Sequence, residues 1–161
     1  YIINDARLSK IISNVALKNK DDLLENNITF EVSNANKIVL TDAKWMEFML
    51  NQIVSNRRKY KDKTKAESYI KISTEEDKKC IVLEILDNGI GINASDLPRV
   101  FDKSFTGENG HEYSKATGMG LYIVKKLCDK LGSKVSIESV KGKYTRVKIT
   151  FYKNDFYKEI V

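Results

Sequence analysis

Apolar residues recur along this chain with two spacings, and the switches between them mark out its elements. Leu8, Ile11, Ile12, Val15 and Leu17 fall at helical intervals and predict a helix over Asp5 to Leu24. Ile28 to Val32 alternates as a strand, and Lys37 to Leu40 is a second, shorter one. Thr41-Asp42 then caps a helix over Ala43 to Tyr60, with Met46, Met49, Leu50 and Ile53 on its apolar face. Tyr69 to Thr74 and Lys79 to Leu86 predict a hairpin joined by the polar turn Glu75-Glu76-Asp77-Lys78. Asn93 to Phe105 reads as short helix and loop, and Thr106 to Ala116 has the polar, glycine-bearing composition of a mobile surface loop. A helix over Met119 to Leu131, stopped by Gly132, leads to a closing hairpin of Lys134 to Val140 and Tyr144 to Tyr152. The fold class is α/β: a two-layer sandwich with one mixed, mostly antiparallel sheet packed under three helices.

The 161 residues suit one domain, without a Pro-rich or Ser-rich linker and without a repeat. A 42% hydrophobic content supplies a core, and 31% charged residues cover it. No apolar run approaches the roughly 18 residues of a membrane span, and no signal peptide opens the chain. Cys80 and Cys128 lie in apolar patterns without metal-type spacing and read as reduced core thiols of a cytosolic compartment. The net charge of +6 comes from lysines scattered over all elements, not from a stripe interleaved with aromatics. That pattern argues against a nucleic-acid partner and for a positive field that attracts an anionic ligand.

Candidate chemistry lies in two glycine-spaced segments. Asp87-Asn88-Gly89-Ile90-Gly91-Ile92 follows an apolar strand, and Ala116-Thr117-Gly118-Met119-Gly120-Leu121 opens a helix. Glycines admit close backbone approach, and a helix N-terminus offers free N–H groups to phosphate. Asp87, at the end of a buried strand, can accept from an exocyclic amine. Together the segments ask for a purine nucleotide with a phosphate tail. A third segment, Asn51-Gln52-Ile53-Val54-Ser55-Asn56-Arg57-Arg58-Lys59-Tyr60, brings an amide, an ammonium and a ring to one helix end.

In this order and spacing the segments resemble the ATP-binding catalytic domain of sensor histidine kinases, within the gyrase/Hsp90/MutL-type ATPases. Asn51 to Tyr60 is similar to the N box, Asp87 to Ile92 to the first glycine box, Val100 to Phe105 to the F box, and Thr117 to Leu121 to the second glycine box. The run Phe101-Asp102-Lys103-Ser104-Phe105-Thr106-Gly107-Glu108-Asn109-Gly110 most resembles the small-sensor kinases that work beside peptide-antibiotic transporters.

The resemblance implies a Bergerat-type fold with ATP and Mg²⁺ as cofactors. It implies that Asp87 reads the adenine amine, aided by a water near Gly91, with Gly89 and Ile92 beside it. A turn-capping aspartate before Asn-Gly is the plainer reading of Asp87. Asn56 would ligate Mg²⁺ through its amide oxygen, with Gln52 one turn earlier; a surface asparagine is the alternative. Lys59 would neutralise phosphate charge and Tyr60 would cover the base or ribose, against a solvated lysine and a core tyrosine. Thr117, Gly118, Met119, Gly120 and Leu121 would lay backbone N–H groups on the phosphates as the Thr106–Ala116 lid folds over. Phe101 and Phe105 would anchor the lid, or simply belong to the core. His111-Glu112 looks like the start of a phosphoacceptor box but lies in the polar loop, so His111 reads as a solvated lid residue.

The chain also departs from the family pattern. Gln52 stands where the kinases carry asparagine, with Asn51 one place earlier. Arg57-Arg58 replaces small or apolar residues, and Arg57, extending the stripe of Leu50 and Ile53, is expected to snorkel or to reach a phosphate. Gly142-Lys143-Tyr144-Thr145 resembles a Gly-x-Gly-Thr box with Tyr144 at its second glycine, placing Thr145 among the ATP-binding candidates.

The implied partners are a dimerising helical bundle carrying the acceptor histidine, outside this sequence, a response regulator and, through the whole protein, a peptide-antibiotic transporter. The implied location is the cytoplasmic domain of a cell-membrane sensor. Residues 1–161 then form a single catalytic domain that transfers the γ-phosphoryl group to histidine, with Asn56, Gln52 and Lys59 at the chemistry. Two other readings stand beside it. One is an ATP hydrolase, whose water-activating glutamate would have to occupy the position of Gln52. The other is a nucleotide-binding or docking module without catalysis.

Overall fold

The structure, a computed structural model, describes residues 1–103 and 120–154. In chain order these form β1 (Asn4–Arg7), α1 (Leu8–Glu25), β2 (Ile28–Val32), β3 (Ile38–Thr41), α2 (Ala43–Lys59), β4 (Ser68–Glu76), β5 (Cys80–Asp87), a 3₁₀ turn (Leu97–Arg99), α3 (Gly120–Leu131), β6 (Lys134–Val140) and β7 (Tyr144–Tyr152). Five strands make one sheet in the order β2-β4-β5-β7-β6, with β2 parallel to β4 and the other pairs antiparallel. The α/β sandwich with its mixed, mostly antiparallel sheet and three helices is therefore as expected.

Period-two alternation decides which face carries the helices. Ile70 and Ile72 of β4, Ile81, Leu83 and Ile85 of β5, and Val147, Ile149 and Phe151 of β7 are buried. Against them pack Leu8, Ile11, Ile12 and Val15 of α1, Met46, Met49, Leu50 and Ile53 of α2, and Val124, Leu127, Cys128 and Leu131 of α3. The opposite face carries charge, with Arg146 of β7 bridging Glu84 and Glu138 on the flanking strands at 2.9 Å each.

Several expected boundaries move. The first helix begins at Leu8, not Asp5, because residues 4–7 are extended and pair with β3, Ala6 opposite Val39. Lys37 to Leu40 accordingly belongs to this separate two-stranded ribbon and not to the main sheet. Leu17 is out of phase with the buried stripe of α1 and is 71% exposed. Strand β4 runs through Glu75 and Glu76, leaving a shorter turn in which Asp77 accepts from the N–H groups of Lys79 and Cys80. Cys80 is half-buried and not a core thiol. Cys128 is the core thiol, and burial pushes its pKa up to about 12. Asp42 caps α2 as expected, accepting from the N–H groups of Lys44 and Trp45.

Candidate functional site

The apolar faces of the sheet and of α2 both turn polar at the same end. On β5 the buried series Ile81, Leu83, Ile85 continues in step to Asp87, which is 2% exposed. Across the ladder Asp87 pairs with Thr145 of β7 and Ile70 of β4, and Thr145 is fully buried. On α2 the stripe through Leu50 and Ile53 continues to Arg57, 4% exposed, and ends at the C-cap Tyr60. Two strands and one helix thus bring Asp87, Thr145, Asn56, Arg57 and Tyr60 to one corner of the core.

Asp87 is not left unpaired there. Its Oδ1 accepts from the N–H of Gly89 at 2.9 Å, and its Oδ2 from Arg57 Nη1 at 3.5 Å. Burial pushes the Asp87 carboxyl above the usual carboxylate range, against the pull of the Arg57 guanidinium and the Gly89 N–H. Arg57 does not snorkel to solvent. Its Nε and Nη2 donate to Asn56 Oδ1 at 3.0 and 2.5 Å. The expectation that Arg57 snorkels is corrected by one physical fact: a buried carboxylate one layer away offers the guanidinium a better partner than the surface does.

The first glycine box is held by backbone packing. Tyr60 O accepts from the N–H of Ile90 at 3.0 Å, which joins the end of α2 to the loop after β5. A Cβ on Gly91, whose φ is +72°, would lie under 3.0 Å from the Val140 carbonyl oxygen. The N–H of Ile92 donates to Ser139 Oγ at 2.9 Å, and that hydroxyl also lies 2.9 Å from Thr145 Oγ1. Asn88 spans the strand start opposite, accepting from the N–H of Tyr69 and donating to Glu67 O. Lys65 Nζ closes the loop from outside, donating to the carbonyls of Asn88 at 2.7 Å and Lys143 at 3.0 Å. Lys65 had no sequence signal, lying outside any period, and Ser139 was passed over as a polar residue, although it falls in phase with Val135 and Ile137 on β6.

The remaining candidates divide. Asn51 turns to α1, accepting from Asn19 Nδ2 at 2.9 Å, whereas Gln52 faces the start of α3: its Oε1 would lie 3.6 Å from a Cβ on Gly120. Of the two amides, Gln52 is the one on the α3 side of α2. Lys59 is exposed at the last turn of α2, Tyr60 is half-buried, and Leu121 is buried in the first turn of α3. Phe101 packs against the core, the plainer of its two readings. Thr117, Gly118 and Met119, with Phe105, His111 and the Thr106–Ala116 lid, lie outside the described residues.

The arrangement joins a buried carboxylate to an amide oxygen through one guanidinium, and one turn earlier on the same helix sets a second amide facing the start of α3. Residues 41–155 match the family model described as Histidine kinase-, DNA gyrase B-, and HSP90-like ATPase. The sensor histidine kinase YxdK of Bacillus subtilis is 41% identical over 113 residues, 70% of this chain and 34% of that protein. The sensor protein kinase GraS of Staphylococcus aureus is 36% identical over 151 residues, 93% of this chain and 40% of that protein. The chain thus spans between a third and two-fifths of the length of these curated relatives. In fold it is similar to the nucleotide-free catalytic domain of histidine kinase ThkA, with a TM-score of 0.77 at 22% identity over 95% of this chain and 99% of that one. ThkA is also solved in complex with response regulator protein TrrA, with a TM-score of 0.72 at 18% identity over 94% of this chain and 42% of that one. The chain belongs to the Histidine kinase-, DNA gyrase B-, and HSP90-like ATPase family, and its relatives there are sensor histidine kinases.

Proposed function

We propose that this chain is the part of a sensor kinase that binds Mg²⁺-ATP and passes the γ-phosphoryl group to a histidine on a separate helical bundle. The observation that carries this reading is Asp87, a carboxylate 2% exposed at the core end of β5, with Asn56 and Gln52 on the adjoining helix. Asp87 accepts from the adenine amine. Gly89, Gly91 and Ile92 bring the backbone up to the base, Thr145 backs it, and Tyr60 covers base or ribose. Lys59 and the N–H groups from Thr117 to Leu121 hold the phosphates.

The described residues contain no group of three His, Cys, Asp or Glu that could hold a metal ion. A cation here would instead take the neutral amide oxygens of Asn56 and Gln52 and the phosphates themselves, a set that suits Mg²⁺. When bound, Mg²⁺ supplies charge neutralisation on the phosphates. The chain's own residues orient the nucleotide and exclude water, and the attacking imidazole comes from outside.

The bundle, a response regulator and a peptide-antibiotic transporter are the proposed partners of the whole protein, which we take to be membrane-anchored. In support, the relatives are sensor kinases more than twice as long as this chain's match to them, and a structural neighbour is solved with a response regulator. No described helix is long and apolar enough to cross a membrane.

The test is Asp87→Asn. Losing a charge-assisted hydrogen bond in a buried site should weaken Mg²⁺-ATP binding about ten- to a hundred-fold in calorimetry. Phosphotransfer from labelled ATP to a supplied helical bundle should fall with it. Unchanged affinity in a folded variant would overturn the assignment. Tight binding without any transfer would leave the non-catalytic module.

A further inference from the structure

Arg57 engages two of the side chains that the proposed function assigns to the ligand. Its Nη1 donates to Asp87 Oδ2 at 3.5 Å, while Nε and Nη2 donate to Asn56 Oδ1 at 3.0 and 2.5 Å. The other Asp87 oxygen takes the Gly89 N–H. The site's base-facing acceptor and one of its two metal-facing amides are therefore both engaged by one guanidinium before any ligand arrives.

We propose that Arg57 is a specificity-determining residue that competes with the purine amine for Asp87 and with the divalent cation for Asn56. This rests on the reading of Asp87 as the base-reading carboxylate. The guanidinium must turn out of the corner before an amine can approach Oδ2 and before a cation can approach the Asn56 oxygen. Two features make that separation accessible. The Asp87 contact, at 3.5 Å, is long for an ion pair and so the weaker of the guanidinium's two engagements. The guanidinium carbon also lies 5.6 Å from the centroid of the Tyr60 ring, which offers it a cation–π surface on the way out.

Competition has a consequence for base selection that a purely structural arginine lacks. A purine without the 6-amino group need not disturb the Arg57–Asp87 pair, whereas adenine must replace it. Arg57 therefore blunts the advantage that the amine gives to ATP, and its removal restores that advantage.

The experiment is calorimetry on the full chain with a non-hydrolysable ATP analogue and its 6-desamino counterpart, with and without Mg²⁺. The variants are Arg57→Ala and Arg57→Met, the latter keeping bulk without charge. Both should bind the ATP analogue about ten-fold more tightly, the scale of one charge-assisted hydrogen bond. Their preference for it over the desamino compound should rise by a similar factor, and the gain from Mg²⁺ should grow. A preference for the amine in the variants no greater than in the wild type, or weaker ATP binding by the folded variants, would overturn the competition and make Arg57 a co-reader of the base. Failure of the wild type and both variants to bind either nucleotide would instead overturn the reading of Asp87.

Discussion

Gly89 and the carbonyl of Tyr60 lie so close that a Cβ on residue 89 would sit under 3.0 Å from that oxygen. The contact joins the end of α2 to the loop after β5, and the next residue, Ile90, donates its N–H to the same carbonyl. The same Cβ would lie 2.7 Å from Asp87 Oδ1. Gly89→Ala should therefore push the helix end and the carboxylate apart, at about 1–3 kcal/mol for an overpacked site. The urea midpoint should fall, and the affinity for an ATP analogue should fall further than the stability loss alone requires. A variant with wild-type midpoint and affinity would show that the helix end yields without cost.

Asp42 links acid stability to the start of α2. Its carboxyl is held below the ordinary value of 3.8, first by the Ile2 N–H and then by those of Trp45 and Lys44, against the opposing effect of burial. A depressed folded-state pKa adds stability above the unfolded value, and that contribution is lost as the pH falls through the folded one. Asp42→Ala should cost about 1 kcal/mol at neutral pH, the usual worth of an N-cap. The gap between wild type and variant should close on acidification below 3.8. Denaturation curves at neutral and acid pH check this, and a gap independent of pH would assign the effect to packing.

Which parts of this corner could be read from the chain depends on the range of the forces that set them. Asp87 was legible because it continues the strand's own period after Ile81, Leu83 and Ile85. Arg57 was legible as a residue on the buried stripe of α2, but its partner lies 30 residues away and follows from how helix and sheet pack. Strand β1 was not legible, since Asn-Asp-Ala-Arg carries no alternation and is held by backbone pairing with β3. The same holds for Lys65, whose ammonium meets backbone carbonyls from two distant loops. Local period gives faces and caps, while polar bridges across layers depend on tertiary packing.

Gln52 bears on the choice between phosphoryl transfer and hydrolysis. It occupies the position where hydrolysing members of the wider family would need a water-activating glutamate, and an amide cannot take a proton from water at neutral pH. Its Oε1 faces Gly120, the first residue of α3, where helix N–H groups lack intrahelical acceptors. A carboxylate placed there would be stabilised by the helix terminus and so made a weaker base. Gln52→Glu should therefore raise ATP turnover to water about ten-fold, short of the 10²–10⁴ that a well-tuned general base supplies. The wild-type chain should hydrolyse ATP very slowly without an acceptor. Phosphate release is the measurement, with Asp87→Asn as the control that removes binding. Brisk release by the wild type, with no increase in Gln52→Glu, would favour the hydrolase reading.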